Sequence, residues 1–207
     1  ANGVEGKRRH AFVMSRESGL YILDVTDPSA PVPRADYRSS ADRHYEIALS
    51  DAGSEELHVF LSVSQDTVHG FSQTGEILDV STHSMPTRVA TIEGLGGILV
   101  VIDSYLYVSQ VYDSTTVFDV SDPHHPRKLG TFDFFFLDAS REGDYLYAVR
   151  PEDNLGVLDV SDPAKPVQVA SAPPFFNDYA FQPMAIATDG QHVYAANNKG
   201  LYVVDVA

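Results

Sequence analysis

A histidine and a glutamate two positions apart, His44 and Glu46, are the residues of this sequence best suited to acid–base chemistry. Residues i and i+2 of a β-strand share a face, so a strand at this position would point both side chains the same way. The histidine could then serve as a general base, while the guanidinium of Arg150 holds a carboxylate or stabilises a developing oxyanion. We predict these three as the catalytic residues if the chain is an enzyme. The alternative is an exposed loop histidine among ordinary surface charges.

A second group of polar and aromatic residues has the mixed character of sites that hold a small organic or sugar ligand. The predicted ligand-binding residues are Arg16, Arg43, Tyr45, Gln110, Phe136, Phe176, Tyr179 and Asn197. Three of them have structural alternatives. Phe136 fits equally a core between repeats, and the loop with Phe176 and Tyr179 fits a hydrophobic plug that folds back on the protein.

The sequence gives no indication of a metal or cofactor site. It has no cysteine, which excludes disulfides, cysteine-ligated zinc and thiol nucleophiles. It also lacks a Gly-x-Ser-x-Gly elbow, a His-Glu-x-x-His motif and a calcium-binding loop of alternating aspartates. No cofactor and no metal is therefore predicted. Asp138, expected in the middle of an inner strand, is interpreted as a structural, water-linked carboxylate rather than as a catalytic acid.

Composition and charge exclude some classes of partner. The 207 residues include 14 basic and 29 acidic side chains, which leave a net charge of −15. Such a field repels phosphate backbones and argues against nucleic acid as a partner. No apolar run approaches the roughly 20 residues of a membrane span. The composition fits an ordinary soluble acidic protein or an exported one, and the predicted location is extracellular, periplasmic or at the cell surface.

A repeated phrase organises the whole chain. Asp-Val, then Ser or Thr, then Asp-Pro-x-x-Pro begins at Asp24, Asp119 and Asp159; a degenerate copy contains Asp79 and a terminal copy contains Asp205. These five anchor aspartates are 55, 40, 40 and 46 residues apart, so the period is about forty residues with insertions. We expect each anchor aspartate to accept a hydrogen bond from the turn that follows it.

Each repeat reads as four short strands. In the third repeat these are residues 98–102, 106–110, 115–120 and 128–132, rich in β-branched and aromatic side chains and separated by turn residues. No segment has sustained helical periodicity. Four strands in about forty residues match one blade of a β-propeller. The sequence therefore predicts one all-β domain over residues 1–207, with about five blades of mostly four antiparallel strands and the first strand of each blade innermost.

The phrase Asp-Val-Ser-Asp-Pro-x-x-Pro after an aliphatic strand, with a Leu-Tyr strand before it, resembles the LVIVD-repeat family of propellers. The resemblance spans nearly the whole chain, and three of the five copies carry the full turn. It implies a β-propeller fold and specifies no activity, because members of that family occur largely as exported or surface proteins of varied role.

The predicted blades are uneven at the two ends. The last blade has no fourth strand after residues 201–206, and the first blade has only the weak candidate 3–8 for its first strand. Three explanations stay open: a three-stranded last blade, a last blade completed by the N-terminal arm 1–9, and a chain that is part of a longer protein. Because an unprotected strand edge is a site of association, we expect the N-terminal arm or a neighbouring chain, hence an oligomer, at this edge.

Two insertions are expected on the same rim of the propeller. The second repeat has about seven extra residues, interpreted as a loop around 65–74, and a Phe-rich stretch at 175–181 precedes the fifth repeat. Both belong to the connections opposite the Asp-Pro turns, and lengthened loops on a rigid scaffold often carry binding residues. We predict an exported or surface-associated propeller that binds a small-molecule, sugar or protein ligand at this rim. The alternatives are a cofactor-independent lyase, hydrolase or isomerase at the channel mouth, and a structural piece of a larger protein.

Overall fold

The computed structural model describes residues 3–7, 9–40, 43–50, 57–67, 70–110, 113–150, 154–172, 185–197 and 200–206. Within these ranges every regular element is a β-strand, so none of the described residues form a helix that could cross a membrane. The strands form five sheets, four of them with four strands and the last with three. The predicted all-β class and the predicted number of repeats are confirmed.

Each sheet is a meander in which consecutive strands are neighbours. Sheet 1 consists of β1 (Gly3–Lys7), β2 (His10–Ser15), β3 (Gly19–Asp24) and β4 (Val32–Tyr37). Sheet 2 consists of β5 (Arg43–Leu49), β6 (His58–Thr67), β7 (Gly70–Asp79) and β8 (Thr87–Glu93). Sheet 3 consists of β9 (Ile98–Ile102), β10 (Tyr105–Ser109), β11 (Thr115–Asp119) and β12 (Arg127–Phe132).

The last two sheets continue the same order. Sheet 4 consists of β13 (Asp138–Glu142), β14 (Tyr145–Arg150), β15 (Asn154–Asp159) and β16 (Val167–Ala172). Sheet 5 consists of β17 (Ala185–Thr188), β18 (His192–Asn197) and β19 (Gly200–Asp205). Among the described residues, no fourth strand belongs to sheet 5, as the sequence predicts.

The chain divides into two compact units, residues 1–108 with 118–128 and residues 109–117 with 129–207. Within the first unit β5 contacts both β1 and β9, and within the second unit β13 contacts β17. The first strands of consecutive repeats are therefore neighbours in each unit. This is the arrangement expected when the first strand of every repeat is the inner one.

The core of each unit is formed by alternating apolar residues of facing sheets. In the first unit, Leu20 and Ile22 on β3 are fully buried and pack in one cluster with Val59 and Leu61 on β6. In the second unit, Leu155 on β15 packs with residues of sheet 5. Full burial of a leucine or isoleucine side chain contributes about 1.5–3 kcal/mol, so these faces hold the repeats together.

Four of the five anchor aspartates close their own turns, as predicted. An oxygen of Asp24 accepts the amide of Thr26 at 2.8 Å. The same bond, two residues forward, joins Asp79 to Ser81, Asp119 to Ser121 and Asp159 to Ser161 at 2.9, 3.0 and 2.9 Å. Hydrogen bonds to the ionised form lower the pKa of each of these four carboxyls. The regularity of this face is therefore structural.

Asp138 links the first strands of sheets 4 and 5. Its Oδ1 accepts the amide of Ala139 and its Oδ2 accepts the amide of Ile186, both at 2.9 Å. Burial raises the pKa of this carboxyl, although the two hydrogen bonds oppose that shift. These contacts fit the interpretation of Asp138 as a structural carboxylate. Its observed hydrogen-bond partners are two backbone amides.

The seven-residue insertion of the second repeat lengthens two strands, and the prediction of a loop around 65–74 is wrong. β6 and β7 pair without interruption from His58 opposite Asp79 to Thr67 opposite Gly70. Residues added equally to both sides of a hairpin extend its ladder and leave a short connection. The insertion therefore builds a long two-stranded arm.

The N-terminal arm does not complete sheet 5. β1 pairs antiparallel with β2, from Gly3 opposite Met14 to Lys7 opposite His10. The weak first strand of the first repeat is thus a real strand. The expectation that residues 1–9 pair at the edge of residues 201–206 is wrong, because among the described residues β1 pairs in sheet 1 and sheet 5 contains only β17, β18 and β19.

Candidate functional site

A polar pocket of about 100 Å³ lies on sheet 2, within the first unit. Eight residues line it: Ser39, Ser40, Val63, Gln65, Thr74, Glu76, Arg88 and Thr91. We call it the Glu76 pocket. Water occupies about 30 Å³ per molecule in the liquid, so the pocket has room for a few waters or for one polar end of a small ligand.

The carboxylate of Glu76 is the buried charge of this pocket. Its residue is 3% exposed, in the middle of β7. Oε1 accepts hydrogen bonds from the Ser39 hydroxyl at 2.8 Å and from the Arg88 guanidinium at 2.9 Å, and Oε2 accepts the Tyr37 hydroxyl at 3.3 Å. A buried carboxylate is tolerated only with such partners, because its desolvation costs several kcal/mol.

Electrostatics keep the Tyr37 phenol and the Arg88 guanidinium protonated near neutral pH. Burial, and after it the negative charge of Glu76, raise the pKa of Tyr37 to about 12. The phenol therefore stays a hydrogen-bond donor. The hydrogen bond to Glu76 raises the pKa of Arg88. The pocket thus combines an ion pair with the hydroxyls of Ser39, Tyr37 and neighbouring threonines.

Local geometry places Tyr37 and Ser39 against sheet 2. Gly19 opens β3 with a φ of +91°, a conformation that favours glycine, and a Cβ at this position would collide with the carbonyl oxygen of Tyr37. Glycine therefore lets the end of β4 lie close to β3. The chain then leaves β4 at Tyr37, and residues 38–40 reach the pocket.

The predicted pair His44 and Glu46 lies on β5, where the pairing is irregular. His44 is opposite Val63 and Glu46 is opposite Ser62, with a register shift between them. Alternation from i to i+2 fails across such a bulge, so the argument for a shared face does not hold. Glu46 is half-buried and accepts the amide of Ile47 at 3.2 Å. The side chains of Arg43, His44 and Tyr45 lie outside the described residues.

Arg150 is packed within the second unit. Its guanidinium lies 4.7 Å from the ring centre of Phe134 and 5.8 Å from that of Phe135, and its Nη1 donates to Gln168 at 3.1 Å. A Cβ on Gly156 would come within 3.3 Å of the Arg150 side chain. These contacts give the arginine a packing role, whatever else it does.

The predicted ligand contact Phe136 is wrong. Its side chain is 0% exposed, and its backbone amide and carbonyl are both bonded to the Ser109 hydroxyl, at 2.7 and 2.8 Å. Phe136 therefore belongs to the core, which is the structural alternative that the sequence also predicted for it.

The other predicted ligand residues do not form one site. Arg16 is exposed in the turn between β2 and β3, within the first unit. The Gln110 backbone closes a turn with Ser114 in the second unit. Phe176, Tyr179 and the side chain of Asn197 lie outside the described residues. In the described ranges no three histidine, aspartate or glutamate side chains come together as a metal ion would require.

Sequence reasoning missed Glu76, Arg88, Tyr37 and Ser39. One signal was available. Glu76 stands three positions before its anchor aspartate, where the other four repeats have Tyr21, Thr116, Gly156 and Tyr202. A carboxylate at this repeat position is an exception, and a charge inside a strand of an otherwise apolar pattern indicates a buried partner.

Comparisons with known proteins agree with the repeats. The family model described as LVIVD repeat matches residues 4–38, 97–133, 138–172 and 183–207. The stretch 39–96, which contains sheet 2 and all eight residues that line the pocket, lies between matched segments. A search of curated proteins by sequence finds no match.

Solved structures share the fold at low sequence identity. The periplasmic gluconolactonase PpgL of Pseudomonas aeruginosa is 14% identical with a TM-score of 0.73, over 96% of this chain and 66% of that one. The Cps50 (Swd1) β-propeller domain of Myceliophteria thermophila is 12% identical with a TM-score of 0.63, over 97% and 68%. The computationally designed protein Ika8 is 8% identical with a TM-score of 0.65, over 98% and 57%.

These likenesses establish the fold alone. The chain spans 57% to 68% of the length of the three structures. The five antiparallel sheets of the described residues are blades of a β-propeller, as the sequence predicts.

Proposed function

The chain belongs to the LVIVD-repeat family of β-propellers, and from that premise we propose that it is a binding protein whose Glu76 pocket holds the hydroxyl-bearing end of a small polar ligand, such as a sugar. The observation that carries the proposal is the buried Glu76 carboxylate, which faces a cavity lined by hydroxyls. The pocket lies in the repeat that departs from the family pattern, and a lone departure on a repeated scaffold is where a specific site is expected.

The donors and acceptors around the pocket define the class of ligand. Among the described residues three groups donate to Glu76, whereas a carboxylate has about four acceptor positions, which leaves room for a ligand donor. Hydroxyls of Ser40, Thr74 and Thr91 can donate or accept. The pairing of Glu76 with Arg88 leaves little net charge for an ionic ligand. These features favour neutral, polyhydroxylated molecules.

Saturation-transfer difference NMR with a panel of neutral hexoses and their methyl glycosides tests this proposal. We expect at least one sugar to bind the wild-type protein and to lose at least tenfold in affinity with Glu76→Gln. Glu142→Gln is the matched control, because it removes the same charge from an exposed position on β13. Unchanged binding by Glu76→Gln, or no binding of any sugar, would reject the pocket as the site of such ligands.

The second candidate function is hydrolysis of a sugar lactone or similar ester. One contact favours it: the Ser39 hydroxyl donates to the Glu76 carboxylate at 2.8 Å, as a nucleophile does to its base. Arg88 donates to the same carboxylate oxygen and so competes with the Ser39 hydroxyl for it, and binding therefore ranks first. One neighbour in fold is named a gluconolactonase. Acid release from D-glucono-δ-lactone that Ser39→Ala abolishes would establish the hydrolytic alternative.

His44, Glu46 and Arg150 remain the proposed catalytic residues for a site outside the Glu76 pocket. In the same lactone assay, loss of activity with His44→Ala and retention with Ser39→Ala would assign the chemistry to them. Export is likewise our proposal, on the strength of the acidic composition. Fractionation of cells that express the full-length protein tests it directly.

A further inference from the structure

The β6–β7 hairpin is longer than the corresponding hairpins of sheets 1, 4 and 5. In those three sheets the pairing of the second strand with the third begins or ends five positions before the anchor aspartate, at Gly19, Asn154 and Gly200. In sheet 2 the pairing continues past the equivalent residue, Thr74, as far as Gly70. Sheet 2 therefore departs from the repeat pattern twice, once with the Glu76 carboxylate and once with this extension.

The extension consists of two strands alone. We call it the β6–β7 arm and define it as residues 65–67 and 70–72. The pairing of β5 with β6 ends at Ser64, and the pairing of β8 with β7 ends at Thr74. Among the described residues, no third strand pairs with the arm. The arm therefore extends past the rest of sheet 2 as a two-stranded ribbon.

One face of the arm continues the lining of the Glu76 pocket. The hairpin contributes two alternate residues from each strand to that lining: Val63, Gln65, Thr74 and Glu76. Alternate residues of a strand share a face, so Ser72, two positions before Thr74 and opposite Gln65, belongs to the same face. Val63 and Glu76 are buried, Thr74 is half-buried, and Gln65 and Ser72 are exposed. The pocket is thus closed at Glu76 and grades into an exposed polar surface on the arm.

The pocket is too small to hold a whole sugar. Its volume of about 100 Å³ has room for one polar end of a ligand, so the rest of the ligand lies outside it. From Glu76 to Ser72 the chain covers about 13 Å, at roughly 3.3 Å per residue, which is longer than one sugar ring. The Gln65 amide and the Ser72 hydroxyl both donate and accept hydrogen bonds, and neither is charged.

We propose that the ligand is a linear, neutral oligosaccharide whose end unit enters the Glu76 pocket and whose next unit lies on the β6–β7 arm, against Gln65 and Ser72. This inference rests on the proposed function and adds the length of the ligand and the second place that holds it. The arm offers uncharged donors and acceptors along the direction in which the pocket opens. The net charge of −15 disfavours an anionic polysaccharide in the same place.

Isothermal titration calorimetry with a monosaccharide and its linear oligomers tests the inference. The probes are glucose, maltose, maltotriose, cellobiose and cellotriose, with the corresponding mannose and galactose series. We expect one series in which the trisaccharide binds the wild-type protein about tenfold more tightly than the monosaccharide, the gain that one or two net hydrogen bonds supply. Gln65→Ala with Ser72→Ala should reduce this ratio of affinities to about one, because the arm then lacks those groups.

The matched control is Gln191→Ala with Ser171→Ala. It removes an exposed glutamine and an exposed serine from the second unit, so the ratio should stay at its wild-type value. Thermal unfolding verifies that each variant folds. If the arm variant fails to fold, amide chemical shifts of the wild-type protein decide, because Gln65 and Ser72 should shift more with the trisaccharide than with the monosaccharide.

The possible outcomes separate this inference from the proposed function. Equal affinity at every chain length, with binding still lost in Glu76→Gln, would overturn the oligosaccharide and leave the pocket as a site for a single sugar. Absence of binding at every length would overturn both. A ratio that survives the arm variant, a ratio that falls in the control, or amide shifts on the arm that are identical for the two sugars would overturn the role of the arm.

Discussion

Sheets 2 and 4 place different residues at the same repeat positions, and the result is a polar pocket in one and a filled apolar site in the other. The equivalences follow from the strand starts, the pairing registers and the distances to the anchor aspartates. The pairs are Ser39 with Phe134, Ser40 with Phe135, Val63 with Arg150, Glu76 with Gly156, and Arg88 with Gln168.

The difference arises because the second strand of sheet 4 carries a long side chain where the second strand of sheet 2 carries a short one. In sheet 4, Arg150 extends over Gly156 and stacks on Phe134, so its own side chain occupies the site. In sheet 2 the equivalent residue is the shorter Val63, and about 100 Å³ remains open beside Glu76. A propeller rim is therefore not one uniform binding surface, because a few substitutions open or close each repeat separately.

The largest expected effect on stability is that of Arg88→Ala. It leaves the Glu76 carboxylate buried without its cation, and such a loss costs 3–5 kcal/mol for a fully buried pair; because the arginine side chain is 45% exposed, we expect about 2 kcal/mol. Urea unfolding measures it. Gln168→Ala, the equivalent change in sheet 4, should cost less than about 0.5 kcal/mol.

Adding Glu76→Gln to Arg88→Ala should restore most of that stability, because no uncompensated charge remains. Equal losses of unfolding free energy for Arg88→Ala and Gln168→Ala would contradict the electrostatic difference that the contacts of the two sites indicate.

The next effect is that of Arg150→Ala, about 1.5 kcal/mol, from lost packing and the lost stacking on Phe134. Arg150→Lys should recover only part of it, since an ammonium keeps the charge without the planar stack. Binding of a sugar at the Glu76 pocket should be unchanged in both variants, by the same NMR assay. A loss of binding with retained stability would instead favour the role that the sequence predicted for Arg150.

The fold was predictable because its information is local and repeated. Each Asp-Val-Ser-Asp-Pro copy carries its own turn chemistry, and the Asp119–Ser121 bond that closes it spans two residues. The Glu76 pocket was not predictable in this way. Glu76 binds Ser39 across 37 residues and Tyr37 across 39, and these distances depend on how one repeat packs on the next.

Two further errors have the same origin. The insertion in the second repeat has a length that fits a loop or two longer strands, and only pairing decides between them. The alternation of the sequence around Phe136 fits either a surface or a core residue. Only packing against the neighbouring sheet determines which of the two it is.

A smaller loss of stability is expected when Gly156, the glycine that makes room for Arg150, is replaced. A Cβ added by Gly156→Ala would come within 3.3 Å of both Arg150 and Phe134, so we expect a loss of about 1 kcal/mol in unfolding free energy. Gly200→Ala is the control, because nothing lies within 4 Å of its added Cβ. A loss of similar size at both positions would show that strand propensity, rather than the filled site, causes it.

The smallest expected effect on stability comes from protonation of the anchor aspartates, of which sheet 2 and sheet 4 each have one. Their pKa values are lowered by hydrogen bonds from Ser81 in sheet 2 and from Ser161 in sheet 4. An acid with a lowered folded pKa stabilises the fold above its unfolded value, and that contribution is lost as the pH falls below about 3.8. Thermal unfolding midpoints should therefore fall steadily below that pH. Asp159→Asn should reduce the slope slightly, and a steeper slope in this variant would contradict the assignment.

An amide chemical-shift titration of the wild-type protein, with the hexose that binds best in the saturation-transfer screen, tests directly whether the Glu76 pocket is the binding site. We expect saturable shifts at Ser39, Thr74, Glu76 and Arg88, and none at the equivalent positions Phe134, Gly156 and Gln168. Val63→Arg, which places the side chain of sheet 4 into the Glu76 pocket, should abolish those shifts and leave the rest of the spectrum intact. Shifts centred on sheet 4, or shifts at Glu76 that persist with Val63→Arg, would contradict the Glu76 pocket as the binding site.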